Sequence, residues 1–141
     1  MSKELIDALN KGRARELRVA IEYMRQHYLA EGIESPSFVD IIKDIAIAEM
    51  KHAEKFGERI AYLGGDPTTK PDPIQTQETL EKMIESDLAT EKEAIELYKS
   101  TIKLADKEGD VTTRTMVESI LADEEGHADQ FATLLKRKGK V

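Results

Sequence analysis

The sequence predicts an all-α protein, a bundle of four long helices with one long crossover connection. Three observations carry this. Apolar residues recur at spacings of three and four nearly throughout, and the alternation expected of strands is absent. Glycine and proline punctuation divides the chain into four long segments. Residue types also repeat at an offset of seventy-five positions.

The first helix is expected over about residues 3–30, stopping near Gly32. Ser35-Pro36 offers an N-cap and a first-turn proline for the second, about 36–63, which ends at Gly64-Gly65. The stretch "DPTTKPDPIQTQ" holds three prolines and reads as extended chain. The third helix covers about 77–107 and ends by Gly109; the fourth covers about 110–136. Short first and third connections make antiparallel hairpins. The middle one, about fourteen residues at ~3.3 Å each, spans ~45 Å. That suffices to return along a helix ~40 Å long. A four-helix bundle with one such crossover is the ferritin-like variant. At 141 residues the chain is expected to form one domain, residues 1–141.

The composition bounds the function. A formal charge of −7 argues against a nucleic-acid binder and suits a protein that attracts cations. With no cysteine there can be no disulfide, thiolate zinc site or iron–sulfur cluster. The start "MSKELIDALN" has no apolar core of a signal peptide, and no apolar run approaches a membrane span. The expectation is a cytoplasmic protein without nucleic-acid or membrane partners.

The repeat matches polar as well as apolar residues. Glu16 meets Glu91, Tyr23 meets Tyr98, Glu49 meets Glu124 and His52 meets His127, while Ile45, Ala53 and Phe56 meet Ile120, Ala128 and Phe131. Shared helical period explains the apolar matches; it does not explain the polar ones. At ~100° per residue, Glu16, Glu49 with His52, Glu91, and Glu124 with His127 all fall on core faces. Burying one unpaired carboxylate costs several kcal/mol or forces its protonation. Four together repel unless cations balance them, and two divalent metals would. A glutamate from each of two helices, with Glu-x-x-His from each of the other two, is the ligand set of di-iron and di-manganese carboxylate bundles. The alternative is a neutralised structural network.

The stretches "RELRVAIEY", "EMKHAEKFGERIAYLGGDP", "SDLATEKEA" and "ILADEEGHAD" resemble the four metal-bearing helices of the bacterioferritins, and the resemblance covers nearly the whole chain. It implies a ferritin-like fold and a catalytic di-iron centre. In that centre Glu16 and Glu91 are terminal ligands, Glu49 and Glu124 bridge, and His52 and His127 each bind one metal. Asp123 and Asp87 are the matching partners for the far ring nitrogens of His52 and His127. Tyr23, counted with the catalytic set, and Tyr98 each follow a ligand glutamate by seven residues and suit hydrogen bonds to ligand carboxylates; both also suit plain core positions. His27 reads as structural. Ala48 stands where an acid would supply a further iron site on the inner surface.

A second apolar stripe, Leu17, Ile21, Met24 and Tyr28, lies about 110° round from Glu16, and Ile47 and Met50 face away from Glu49. A two-fold dimer is the simplest closure of such a patch. In the bacterioferritins that seam holds haem between two methionines, and the resemblance makes Met50 the ligand; a methionine filling an interface gap is the other reading. The ending "LLKRKGKV" stands where bacterioferritins continue into a fifth helix, so a twelve-subunit homo-oligomeric cage is expected rather than a twenty-four-subunit one.

The function implied is iron storage and detoxification: a ferroxidase takes up Fe²⁺, oxidises it with dioxygen or hydrogen peroxide and passes Fe³⁺ into a cage. The rivals are a rubrerythrin-like peroxidase or other di-metal oxidase on the same bundle, and a haem-binding or structural shell subunit whose di-metal centre does not turn over.

Overall fold

A computed structural model describes residues 2–136. Four helices form the bundle: α1 (Lys3–Leu29), α2 (Val39–Tyr62), α3 (Leu80–Lys107) and α4 (Val111–Leu134). The all-α architecture with one long crossover is the one the periodicity predicts. Among the described residues no helix is long and apolar enough to cross a membrane. Residues 137–141, within the ending that bears on a fifth helix, lie outside the described residues.

Local chemistry sets the helix ends. Ser2 caps α1 by accepting from the Leu5 amide, Thr79 caps α3 through the Lys82 amide, and Asp110 caps α4 through the Thr113 amide. Gly109, at φ 74°, takes the left-handed turn between α3 and α4 without a Cβ penalty. Two starts differ from expectation. Ser35-Pro36 opens a 3₁₀ turn, Ser35–Ser37, because the Ser35 hydroxyl turns back to the Gly32 carbonyl instead of capping forward. Helix α2 therefore begins at Val39. Helix α3 begins at Leu80 because the preceding chain stays extended: the Gln75 amide donates to Glu22, and Arg25 donates to the Gln77 carbonyl.

Helices α1 and α2 pair as one hairpin, α3 and α4 as the other, and α1 lies against α3. The crossover, residues 63–79, runs along α1. Asn10 accepts from the Thr68 amide and donates to the Asp66 carbonyl, Arg13 donates to the Thr68 carbonyl, and the Asp72 amide donates to the Ala14 carbonyl. These bonds satisfy backbone groups that a strand-free segment would otherwise leave to water.

The core has two apolar halves. One holds Val19, Phe38, Ile42, Leu88 and Phe131; the other holds Leu5, Leu9, Phe56, Ile60, Val117 and Ile120. Gly12 matters to the second half: a Cβ there would lie 2.9 Å from Phe56 Cζ, so only glycine lets the ring pack against α1. The mid-helix polar residues lie between these halves.

Candidate metal centre

Each helix sends one fully buried glutamate to mid-bundle: Glu16, Glu49, Glu91 and Glu124. The i,i+3 spacing brings His52 and His127 to the same level, one turn beyond Glu49 and Glu124. Two groups of donors result. Glu16, Glu49, His52 and Glu124 bring ligand atoms within 4.8 Å of one another, and so do Glu49, Glu91, Glu124 and His127. Glu49 and Glu124 belong to both.

Both histidines turn Nδ1 toward the carboxylates. His52 Nδ1 lies 3.0 Å from Glu49 and 3.2 Å from Glu16; His127 Nδ1 lies 2.8 Å from Glu124 and 3.7 Å from Glu91. The two tyrosines bridge helices symmetrically. Tyr23 donates to Glu91 at 3.0 Å and Tyr98 donates to Glu16 at 2.9 Å. Burial pushes both phenols well above their ordinary range, which keeps them protonated as donors.

The two histidines differ in support. His52 Nε2 lies 2.7 Å from the half-exposed Asp123, as the sequence suggested. Asp87, the partner expected for His127, instead accepts from Gln26 through Oδ1 at 2.7 Å, and its buried Oδ2 has no hydrogen-bond partner. His27 turns Nδ1 to the Val39 carbonyl at 2.6 Å, away from the centre. Met50 is half-exposed on the outer face of α2, beside Leu17 and Arg13 and apart from the glutamates.

Sequence reasoning missed Arg15. Its buried guanidinium reaches into the cluster: Nη1 contacts Glu16 and Glu49 at 2.8 Å and Glu124 at 2.5 Å, and Nη2 contacts Glu91 at 2.8 Å. The signal that could have found it is a break in the repeat, since the position seventy-five residues on is Thr90.

One guanidinium does not balance four carboxylates, and the protonation pattern follows. Burial pushes Glu49 and Glu124 well above the usual carboxylate range, and the charges on Glu16 and Glu91 push the same way. Burial acts on Glu16 in that sense too, but Arg15 beside it, aided by His52, holds it at about 2. The imidazoles part. Burial lowers both, yet contact with Glu16, with Asp123 helping, outweighs burial at His52 and lifts it to about 9. His127 stays below its ordinary value, with burial the main cause.

A metal pair fits this donor set. Glu49 Oε1 is buried 3.0 Å from His52 Nδ1 and 3.6 Å from His127 Nδ1, yet neither ring aims a hydrogen at it, and it has no hydrogen-bond partner. Hard carboxylate oxygens with two imidazoles suit iron, manganese or zinc better than magnesium or calcium.

Similarity to known proteins agrees with this geometry. The ferritin-like domain model of the Ferritin family matches residues 6–139. The bacterioferritin of Desulfovibrio desulfuricans is 37% identical over 132 residues, 93% of this chain and 74% of that protein. That of Rhodobacter capsulatus is 32% identical over 131 residues, 92% of this chain and 81% of that protein. An X-ray structure of the D. desulfuricans bacterioferritin, concerned with its diiron site in different catalytic states, superposes with a TM-score of 0.85 at 34% identity, covering 96% of this chain and 87% of that one. A ferritin-like diiron-carboxylate protein of Bacillus anthracis gives 0.92 at 30% identity, covering 96% and 99%. The chain belongs to the ferritin-like family and, within it, to the bacterioferritins.

Proposed function

We propose that this protein stores and detoxifies iron, oxidising Fe²⁺ at the mid-bundle centre and passing Fe³⁺ into the interior of a homo-oligomeric cage. The observation that carries the reading is the pair of overlapping donor groups that share Glu49 and Glu124. Glu16 and His52 would hold one metal, Glu91 and His127 the other, and Glu49 and Glu124 would serve both. The oxidant is dioxygen or hydrogen peroxide: two Fe²⁺ give up one electron each, and the oxidant takes two electrons and two protons.

The residues of the chain perform the rest. Four carboxylates supply negative charge that a trivalent product favours more than a divalent substrate, which draws the oxidation forward. Tyr23 and Tyr98 fix Oε1 of Glu91 and of Glu16, so that the Oε2 atoms, which Arg15 holds, turn to the middle of the cluster. Asp123 holds the far nitrogen of His52 and orients Nδ1 inward. The apolar halves on either side keep bulk water from the centre.

The assembly follows from the outer face of the first hairpin. Ile21, Ile47 and Met50 are 49%, 44% and 50% exposed, and Tyr28 is 70% exposed. Packing this face against a second copy buries it under two-fold symmetry. Twelve subunits then close the cage. A solved R. capsulatus bacterioferritin with 31% identity, 94% coverage of this chain and a TM-score of 0.88 has haem iron in a crystallographic special position. Met50, half-exposed on the proposed seam beside Arg13, Leu17, Lys51 and Glu54, would be the residue that holds a haem there.

Aerobic iron loading followed by measurement of particle mass and iron content tests the function. Iron uptake far beyond two per chain, retained in a particle much larger than a dimer, is the expected result. Uptake that stops at two per chain selects a fixed di-metal centre instead.

A further inference from the structure

We propose that Arg15 is a displaceable counter-ion: its guanidinium and the metal pair compete for the same carboxylate oxygens, so Arg15 sets the metal concentration at which the centre fills. The proposal rests on the dinuclear reading above and adds to it a residue that tunes affinity.

The contacts of Arg15 are those of a stand-in cation rather than of a fitted guanidinium. Nη1 carries two hydrogens, yet three carboxylate oxygens from three helices lie 2.5–2.8 Å from it. It cannot serve all three with linear hydrogen bonds. Nε, a third donor direction, is buried with no partner. A guanidinium placed for permanence meets a carboxylate edge-on through two parallel bonds. Here every glutamate offers one oxygen only, Oε2, and the four converge from four helices as ligands do around an ion.

The position of Arg15 on α1 supplies an exit. It neighbours Glu16 in sequence, so it leaves the helix about 100° round from that ligand and reaches the centre only by folding back. It also lines an open groove of about 380 Å³ with Lys11, Arg18, Asp72, Glu93 and Leu97. Rotation about its side-chain bonds moves the guanidinium from the cluster toward Asp72 and Glu93 and into water without moving a helix. The exchange is favourable when divalent ions arrive. Two of them bring four positive charges to the four carboxylates that one guanidinium otherwise shares.

Zn²⁺, which undergoes no oxidation, is the probe. The metal-stripped full-length protein, Arg15→Gln and Arg15→Lys are titrated calorimetrically at one pH and ionic strength. Arg15→Gln is expected to bind Zn²⁺ on the order of tenfold tighter or more, a gain of one decade per 1.4 kcal/mol. Arg15→Lys, which keeps a movable cation, is expected to stay near wild type. A second measurement needs no variant: modification of Arg15 by phenylglyoxal, followed by peptide mass analysis, should be slow without Zn²⁺ and fast with it. Equal or weaker binding by Arg15→Gln, or an Arg15 that stays protected in the Zn²⁺-loaded wild type, overturns the proposal. If only Arg15→Gln binds Zn²⁺, competition stands and the ferroxidase reading of the wild type falls. If neither binds it, both fall.

Discussion

Tyr98 of α3 donates its phenol to Glu16 of α1 at 2.9 Å, and the bond is mirrored by Tyr23 of α1 donating to Glu91 of α3 at 3.0 Å. Each tyrosine thus crosses from its own hairpin to hold a carboxylate of the other. Tyr98→Phe leaves the volume almost unchanged and removes one donor from a buried anion. The metal-stripped variant should lose about 1–3 kcal/mol of stability in urea unfolding, and Tyr23→Phe should behave alike. Unfolding curves that overlay the wild type would show that neither bond stabilises the fold.

Glu49 sits among buried carboxylates that disfavour its charge. Glu49→Gln keeps the shape and removes a charge that burial and two neighbouring carboxylates already disfavour. The stability of the metal-stripped protein should hold or rise. Iron oxidation should fall by more than the roughly 10–100-fold that loss of a supporting partner costs a metal site. Stopped-flow oxidation at the wild-type rate would remove Glu49 from the centre.

The pH behaviour of the metal-stripped protein should be governed in part by His52. Its value in the fold, about 9, exceeds the ordinary 6.5. Its protonated form therefore stabilises the fold fully below about pH 6.5, and that contribution is lost as pH rises through about 9. Metal requires the neutral ring, so binding should release a proton and tighten as pH rises. Asp123→Asn removes one support of the cation; the His52 NMR titration midpoint should drop, and metal affinity should weaken on the order of 10–100-fold. An unchanged midpoint would place Asp123 outside the network.

The outer face of the first hairpin predicts an obligate oligomer. At the proposed two-fold seam Leu17→Glu would bury unpaired charge twice, and it should split or unfold the dimer in sedimentation experiments. If Met50 holds haem, protein made with adequate porphyrin should show a bis-methionine spectrum at one haem per two chains. Met50→Leu, nearly volume-conserving, should erase the spectrum and leave the dimer and iron oxidation intact. A spectrum that survives that change excludes Met50 as the ligand.

The polar half of the repeat made the six residues at mid-bundle legible, because a glutamate or histidine on a core face has no cheap explanation in helical period alone. The same logic could not reach Arg15. It lies off the stripe, and only its long flexible side chain brings its charge inward. Nor could spacing tell that Gln26 would take Asp87, since that contact joins α1 to α3 across the bundle. The second helix start was misread because Ser-Pro suits a 3₁₀ turn as well as an α-helical cap. The long crossover was legible as a length; its pinning to α1 by Asn10 and Arg13 was not, since polar side chains on a helix surface look alike in sequence.

Each donor group draws three residues from one hairpin and one from the other. Glu16, Glu49 and His52 come from the first and take one carboxylate, Glu124, from the second; Glu91, Glu124 and His127 come from the second and take Glu49 from the first. Each hairpin therefore carries three of the four donors of one group and shares one of those three, Glu49 or Glu124, with the other group. Metal bound there would tie the two hairpins together, and a single opening of the hairpin interface would undo both donor groups at once. The crossover contributes none of these six donors, so a chain nicked between Asp66 and Gln77 still keeps every one of them on an intact hairpin. Two peptides joined by their shared apolar core and the crossing tyrosine bonds would then carry every donor of the centre.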